Sequence, residues 1–484
     1  ERERERERER MSSSHQANLE ELSDRYEIIT RLGSGAYGTV YKARDLATGD
    51  MVAIKLIPNL FRTPSFAKKH LREIQLLHLF TRASCDYVVA LRDVARPTDL
   101  LQFNDLYIVM DLMPMDLSRV INCDPPEVIT ANHIQYLAFQ LVLGIAHLQS
   151  HGVLHRDLKG SNILVNEECE LKIADFGMAR MAEDAEVPMT EYVITRWYRP
   201  PEVLLGRGYY SAAADMWSVG CLLAELFTRH PIFPGRDTRN QMEKILEFTG
   251  TPLSSELPVN VCEGGAEFCL ARRLEPRTIE ELLEDAPVTP SSAACDLISR
   301  MLCFKAEDRI SAEEALRHPY FEDVFQESDL PQPPEHCYFD ASFETTDSSI
   351  GTLRAHFLQV ISEFHPEILE PLVELSFQED LPLNLNCFHS LRECQRQMLQ
   401  RFEMTSMSEE EKAWLDHQRT SLLEYEFHTN ADMNIGDINM DPPEIELFGD
   451  EGEYMMSFEN QGSEYPPHGW EGDEEEEEEE RESP

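Results

Sequence analysis

A chain of 484 residues with 42% hydrophobic content can build more than one ordinary core. With 90 acidic against 43 basic residues, its formal net charge of -47 repels nucleic-acid phosphates and anionic membranes, so neither is expected as a partner. Much of the acidic excess sits near the end, in an unbroken run from Asp473 to Glu480 that has the composition of a solvated tail.

The 11 cysteines run from Cys85 to Cys394, are odd in number and contain no CxxC pair, which fits free thiols in a reducing compartment better than disulfides or a zinc site. No apolar stretch reaches the roughly 18 residues that span a bilayer, and no short apolar signal core opens the chain. These features lead to the expectation of a soluble, intracellular protein, cytoplasmic and free to be nuclear as well. The ERERERERER stretch before Met11 reads as an artificial extension, and residues 1–25 as a disordered N-terminal extension.

In chain order, residues 26–60 carry short β-branched and aromatic runs, Tyr26 to Thr30 and Thr39 to Lys42, punctuated by glycines. From Phe66 the spacing turns helical, with Leu71, Ile74, Leu76, Leu77 and Leu79 on one apolar face. After Met113 long helical patterns dominate: Ile134 to Leu148, Ala212 to Leu226, Met242 to Phe248, and Ser291 to Leu302. The expectation is an α+β protein with two lobes, a small antiparallel β lobe with one main helix and a larger, mainly helical lobe.

Gly33-Ser34-Gly35-Ala36-Tyr37-Gly38-Thr39-Val40 lies between two predicted strands, where glycines let backbone amides approach an anion. Alone it could be an ordinary hairpin, and the strand that follows argues against a dinucleotide fingerprint. Fifteen residues beyond Val40, Lys55 ends a buried-looking strand, Val52-Ala53-Ile54-Lys55. A lysine there can neutralise phosphate charge, and Glu73 on the following helix is the natural carboxylate to hold it. The most specific cluster is His155-Arg156-Asp157-Leu158-Lys159-Gly160-Ser161-Asn162, followed by Asp175-Phe176-Gly177.

With these motifs in order, the chain resembles the protein kinases across residues 26–322. The resemblance implies ATP held by Leu32, Gly33, Ser34, Gly35, Ala36, Tyr37, Gly38, Thr39, Val40 and Lys55, and by backbone groups of Asp111 and Met113 in the lobe-joining hinge. It implies that Lys55, Glu73, Asp157 and Lys159 are catalytic and that Asn162 and Asp175 ligate Mg2+ through hard oxygens. Residues 26–113 would be the small lobe and 114–322 the large one. Pro201-Glu202, Asp215 and Arg309, the last paired with Glu202, are architectural.

The segment Thr190-Glu191-Tyr192-Val193-Ile194-Thr195-Arg196-Trp197-Tyr198-Arg199 resembles the mitogen-activated protein kinases of the extracellular signal-regulated class. The resemblance implies dual phosphorylation at Thr190 and Tyr192 by an upstream dual-specificity kinase. Arg72, Arg156 and Arg180 would gather around one phosphate, Arg196 and Arg199 around the other. It also implies Ser/Thr-Pro protein substrates, phosphatases as partners, and docking-motif peptides at Asp329, with Glu167 and Glu168 restoring negative charge in that groove; an ordinary solvated acidic surface is the competing reading of these three acids.

Two positions depart from the family pattern: Gly160 stands where Pro is usual and Gln326 where Asp is usual. Residues 323–366 resemble the family's docking and packing extension, with an amphipathic helix over Leu353, Phe357, Val360, Ile361 and Phe364. Beyond it the resemblance stops, and 367–484 reads as an acidic, largely disordered tail with one or two helices. A cyclin-dependent-like kinase and a pseudokinase scaffold are the competing readings. The first is disfavoured by Thr190-Glu191-Tyr192, the second by the intact Lys55, Glu73, Asp157, Asn162 and Asp175.

Overall fold

The computed structural model describes residues 22–35, 38–123, 129–182, 196–206, 210–258, 260–262, 264–332, 339, 341–345 and 348–376. Those up to Pro366 form one unit, and 367–376 belong to a second.

The β-branched and aromatic runs form five strands, β1 (Tyr26–Gly35), β2 (Gly38–Asp45), β3 (Met51–Ile57), β4 (Leu91–Val94) and β5 (Leu106–Asp111), paired antiparallel in the order β1-β2-β3-β5-β4. Side chains of Tyr26, Ala43, Val52, Ile54, Leu56, Tyr107 and Val109 fill the core on one side of this sheet. Between β3 and β4 runs α1 (Pro64–Arg82). Thr63 caps it, its hydroxyl accepting the Phe66 N–H at 3.2 Å, and Pro64 costs nothing in the first turn, where amides have no partner. Leu71, Ile74, Leu77 and Phe80 bury its apolar stripe.

The larger lobe begins with β6 (Met115–Asp116) and α2 (Leu117–Ile121), then α3 (Ala131–Ser150). A reciprocal cap starts α3: Thr130 accepts from the His133 N–H, and His133 Nδ1 accepts from the Thr130 N–H at 3.2 Å. Short strands follow, β7 (Val153–Leu154), β8 (Ile163–Val165), β9 (Leu171–Ile173) and β10 (Arg180–Met181), pairing as β6-β8-β9 and β10-β7. Then come α4 (Pro201–Leu205), α5 (Ala212–Thr228), α6 (Thr238–Thr249), α7 (Gly265–Leu270), α8 (Ile279–Leu282), α9 (Ser292–Met301) and α10 (Ala312–Leu316). Helix α5 is apolar nearly all round and therefore central, with Ala214 to Thr228 buried and Trp217 stacked on Phe233 at 5.8 Å. The expected Arg309–Glu202 pair forms two parallel hydrogen bonds, at 2.8 and 3.1 Å, fixing α4.

The C-terminal extension returns to the small lobe. After α11 (Ser342–Thr345), α12 (Ile350–Phe364) packs on α1 and β4, setting Phe357 against Phe61 and Phe364 against His78 at ring separations of 5.8 and 5.1 Å. In the second unit, α13 (Leu369–Ser376) is the only described helix. Residues 1–21 and 377–484, acidic run included, lie outside the described residues. Among the described residues no helix is long and apolar enough to cross a membrane.

Two polar details of the fold carry testable weight. Buried Asp93 on β4 accepts from Arg25 Nη1 at 2.9 Å, Tyr26 OH at 2.8 Å and His365 Nε2 at 2.8 Å. Burial alone would raise its pKa, but the hydrogen bonds from His365 and Tyr26 and the charge of Arg25 outweigh burial and hold it below the ordinary value. A depressed carboxylate stabilises the fold above its unfolded pKa, about 3.9, and loses that contribution as pH falls toward its folded value. Asp93→Asn should therefore lower the melting temperature at pH 7 and narrow its gap to the parent below about pH 4; a gap that stays constant through acid would refute this. The second detail is Gly160, whose ideal Cβ would lie 2.5 Å from Ser118 Oγ and 3.1 Å from Ser118 N on α2. A side chain at 160 would therefore collide with the start of α2, and glycine is what lets the two segments approach. Gly160→Ala should cost about 1–3 kcal/mol in denaturant unfolding, with part recovered by Ser118→Ala in the same chain.

Candidate active site

Strand β3 places Lys55 between Val40 of β2 and Ile108 of β5, and α1 turns Glu73 toward it. Lys55 Nζ donates to Glu73 Oε1. Glu73 Oε2 lies 3.0 Å from Nδ1 of fully buried His70. Burial opposes the charge on Glu73, yet the Lys55 ammonium and the His70 hydrogen bond overcome it, and the carboxyl is held well below its usual range. Burial likewise opposes the Lys55 charge, and Glu73 and Asp175 more than offset that, so its pKa is raised. His70 is shifted down by burial, which leaves it neutral with Nδ1–H as the donor to the carboxylate. Sequence reasoning did not single out His70. The signal was there, since a residue three before Glu73 shares its face of the helix.

The catalytic loop is held by its backbone. Asp215 of α5, fully buried, accepts the His155 N–H at 2.8 Å and the Arg156 N–H at 3.0 Å, and takes a further hydrogen bond from Tyr210 OH. Arg156 adopts a left-handed backbone, φ 70°, which that clasp sustains. His155 donates through Nε2 to the Ala174 carbonyl at 3.1 Å, leaving Nδ1 to accept the Asp157 N–H at 3.3 Å. Asp157 then gathers the loop's polar groups: Lys159 Nζ lies 2.7 Å from Oδ2, and Asn162 Nδ2 donates to Oδ2 at 3.1 Å and to the Asp157 carbonyl at 2.8 Å.

Asp175 follows on a left-handed residue, φ 63°, and its carboxylate accepts the Gly177 N–H at 3.4 Å. Phe176 is fully buried between Phe80 of α1 and His155, at 5.7 and 5.2 Å, coupling the helix that carries Glu73 to the loop that carries Asp157. The Ala174 N–H donates to the Asn162 carbonyl at 2.9 Å, so Asn162 and Asp175 project from hydrogen-bonded backbone. Because Asn162 spends its amide N–H groups on Asp157, its Oδ1 is the atom left for a cation, a hard oxygen like those of Asp175. Among the described residues no group of three or more His, Cys, Asp or Glu could hold a metal by itself, so an ion here would complete its shell from phosphate and water. Lys69, which sequence reasoning passed over, also reaches this corner. An ideal Cβ on Gly177 would lie 3.2 Å from both Lys69 Nζ and Asp175 Oδ1 and closer still to Lys69 Cε, so a larger residue here would have to displace the lysine's end.

At the hinge, Asp111 gives its N–H to the Ala90 carbonyl, at 3.1 Å, so its own carbonyl is the group it can offer an adenine. Its carboxylate binds Arg92 Nε at 2.6 Å and Lys172 Nζ at 3.1 Å, joining β4, β5 and β9. Met113 follows between β5 and β6. Of the glycine loop, Leu32, Gly33, Ser34 and Gly35 end β1 and Gly38, Thr39 and Val40 open β2, with Gly35 opposite Gly38; Ala36 and Tyr37 lie outside the described residues.

Thr190 and Tyr192 also lie outside the described residues. Of their expected arginines, Arg72 and Arg156 are close enough for each charge to oppose the other, and Arg180 on β10 pairs with Leu154, beside His155. Arg196 and Arg199 share a turn, the Arg199 N–H donating to the Arg196 carbonyl at 3.0 Å. Arg156 and Arg199 line one cavity with Asp157 and Tyr210, although the sequence assigned these arginines to different phosphates. Glu167 and Glu168 are exposed in the turn between β8 and β9. Asp329 caps its own turn, accepting the Gln326 N–H at 2.8 Å, so the departure at Gln326 comes with a partly engaged acid.

The protein kinase domain family matches residues 26–321. The chain is 40% identical over 349 residues to Extracellular signal-regulated kinase 1 of Dictyostelium discoideum, an alignment covering 71% of this chain and 63% of that longer relative. It is 42% identical over 353 residues to Mitogen-activated protein kinase 5 of Oryza sativa subsp. indica, covering 72% of this chain and 92% of the relative. To Mitogen-activated protein kinase 10 of Arabidopsis thaliana it is 42% identical over 321 residues, covering 66% and 79%. With the small antiparallel lobe, the helical lobe and the polar cluster between them, these likenesses make the chain a protein serine/threonine kinase of the mitogen-activated protein kinase family.

Proposed function

We propose that the protein transfers the γ-phosphoryl group of ATP to serine or threonine followed by proline, in a signalling cascade, after phosphorylation of Thr190 and Tyr192 by an upstream dual-specificity kinase. The observation that carries the reading is the closed Lys55–Glu73 pair set against the Asp157–Lys159–Asn162 cluster through Phe176. Lys55 is placed to hold nucleotide phosphates, Asp157 to orient an acceptor hydroxyl and take its proton, and Lys159 beside it to offset charge on the transferred group. Asn162 and Asp175 would hold Mg2+, which supplies charge neutralisation across the phosphates when bound. The carbonyls of Trp197 and Tyr198 are tied to Gln241 Nε2 and Ser218 Oγ at 3.4 and 2.8 Å, which supports a rigid floor for the residue after the acceptor. Proline suits such a floor because it brings no N–H to leave unsatisfied. Docking-motif peptides with basic residues would use Glu167, Glu168 and Asp329, phosphatases would reverse the switch, and the protein would work in the cytoplasm and the nucleus.

The decisive assay is ATP turnover on a Ser/Thr-Pro peptide before and after treatment with an upstream dual-specificity kinase. Asp157→Ala should lose about 10²–10⁴-fold in turnover with little change in melting temperature, and replacing the proline should lower kcat/KM. Thr190→Ala with Tyr192→Phe should abolish the gain from treatment. Indifference to proline, or full activation of the double variant, would overturn the corresponding part. For docking, Glu168→Lys with Asp329→Lys should weaken a basic docking peptide several-fold at low salt and less at high salt, and unchanged binding would assign those acids to the solvated surface.

A further inference from the structure

Arg72 stands one residue before Glu73 on α1 and is only 3% exposed. A buried guanidinium needs a counter-charge, and the nearby Arg156 adds a second positive charge. The phosphate clamp inferred from the sequence would supply that counter-charge from the Thr190 segment, yet the chain provides a carboxylate of its own. Arg72 Nε donates to Glu344 Oε1 at 2.7 Å, and Nη2 pairs with the same oxygen. On its other side Arg72 Nη1 donates to the Gly177 carbonyl at 3.2 Å. One turn earlier on α1, Lys68 Nζ donates to the Glu344 backbone carbonyl at 2.8 Å.

Glu344 is itself fixed by its neighbours. It lies on α11 next to Phe343, which is fully buried with its ring 6.3 Å from His356 of α12 and 6.0 Å from Phe339. Through Arg72, Glu344 therefore joins the C-terminal extension to the helix that presents Glu73 and to the Asp175-Phe176-Gly177 turn.

We propose that Glu344 is a positioning residue for phosphoryl transfer, its carboxylate holding Arg72, and through it α1 and Gly177, where Glu73 meets Lys55. Neutralising Glu344 removes the carboxylate that Arg72 bonds while the nearby Arg156 charge still opposes it, which favours movement of α1 away from this corner, and of Glu73 with it. The consequence for turnover rests on the phosphoryl-transfer reading above; the consequence for α1 does not.

The experiment is hydrogen–deuterium exchange on the full chain, without nucleotide, for the parent, Glu344→Gln, Glu344→Asp and the charge swap Arg72→Glu with Glu344→Arg, with peptide turnover measured on the same samples. Amides of residues 70–77 in Glu344→Gln should exchange about five- to tenfold faster while those of α3 keep parental rates, because only the local opening is cheaper. Turnover should fall by a similar factor in kcat, with peptide KM within about twofold. Glu344→Asp and the charge swap should each recover part of the protection. Unchanged exchange in α1, equal acceleration in α1 and α3, or a charge swap no better than Glu344→Gln would overturn the proposal. Faster exchange in α1 alone, with no change in kcat, would keep the contact and overturn its role in positioning for transfer.

Discussion

The site depends on one buried ion pair, Lys55 with Glu73. Its partners are 18 residues apart, one on a strand whose place the sheet dictates, the other on a helix held to the sheet at its far end, where Thr81 accepts the Leu91 N–H of β4 at 2.8 Å. Taking both charges out of water is favourable only where the geometry closes completely, so the pair forms with α1 docked and is unmade by even a modest outward movement. His70, Phe80 and Arg72 all leave the same helix, and through them the pair is bound to the catalytic segments: His70 saturates the second carboxylate oxygen, Phe80 packs on Phe176, and Arg72 reaches Gly177. The small lobe thus contributes a docked helix as much as a nucleotide shelf.

The large lobe is built on the opposite plan. Its reactive loop is clasped by main-chain hydrogen bonds to Asp215, and the segment after the activation loop is anchored through Glu202 to a buried arginine. These interactions tie both segments to a central helix that is apolar on nearly every face and buried from Ala214 to Thr228. A rigid loop facing an adjustable helix is an arrangement in which control can be exerted on one side while chemical groups stay in register on the other.

How much of this was legible in the sequence follows the physics of each signal. Short-range spacing was readable as placement: the glycines do end β1 and open β2, Lys55 meets Glu73, and Asp157, Lys159 and Asn162 cluster, because residues close together on one loop are brought to one place. Helix existence was readable from apolar period, while ends moved by a few residues; α12 begins at Ile350, set by the Ser349 cap rather than by its first core residue, Leu353. Contacts across long separations were not readable. Glu344 is one acid among 90, and nothing in its neighbours says that it meets Arg72, 272 positions away. Gly160 registered as a departure from the family, but the close approach of Ser118 to it belongs to packing. The small-lobe contacts of α12 were expected by resemblance alone, since amphipathicity says that a helix has a partner and not which one.

The Asp93 cluster bears on when the protein can finish folding. Its donors come from Arg25 and Tyr26, 68 and 67 positions before it, and from His365, 272 positions after it. During synthesis the five strands emerge first and can pair, but a buried carboxylate at the sheet edge keeps an incomplete set of donors until the end of α12 has left the ribosome. The first lobe made is therefore the last to close, and for most of translation the nascent chain exposes the apolar faces of β4 and α1 that α12 later covers. A chain ending before His365 would leave Asp93 one donor short and lose the end of the helix that covers β4 and α1, so the N-terminal lobe is completed from the C-terminal extension.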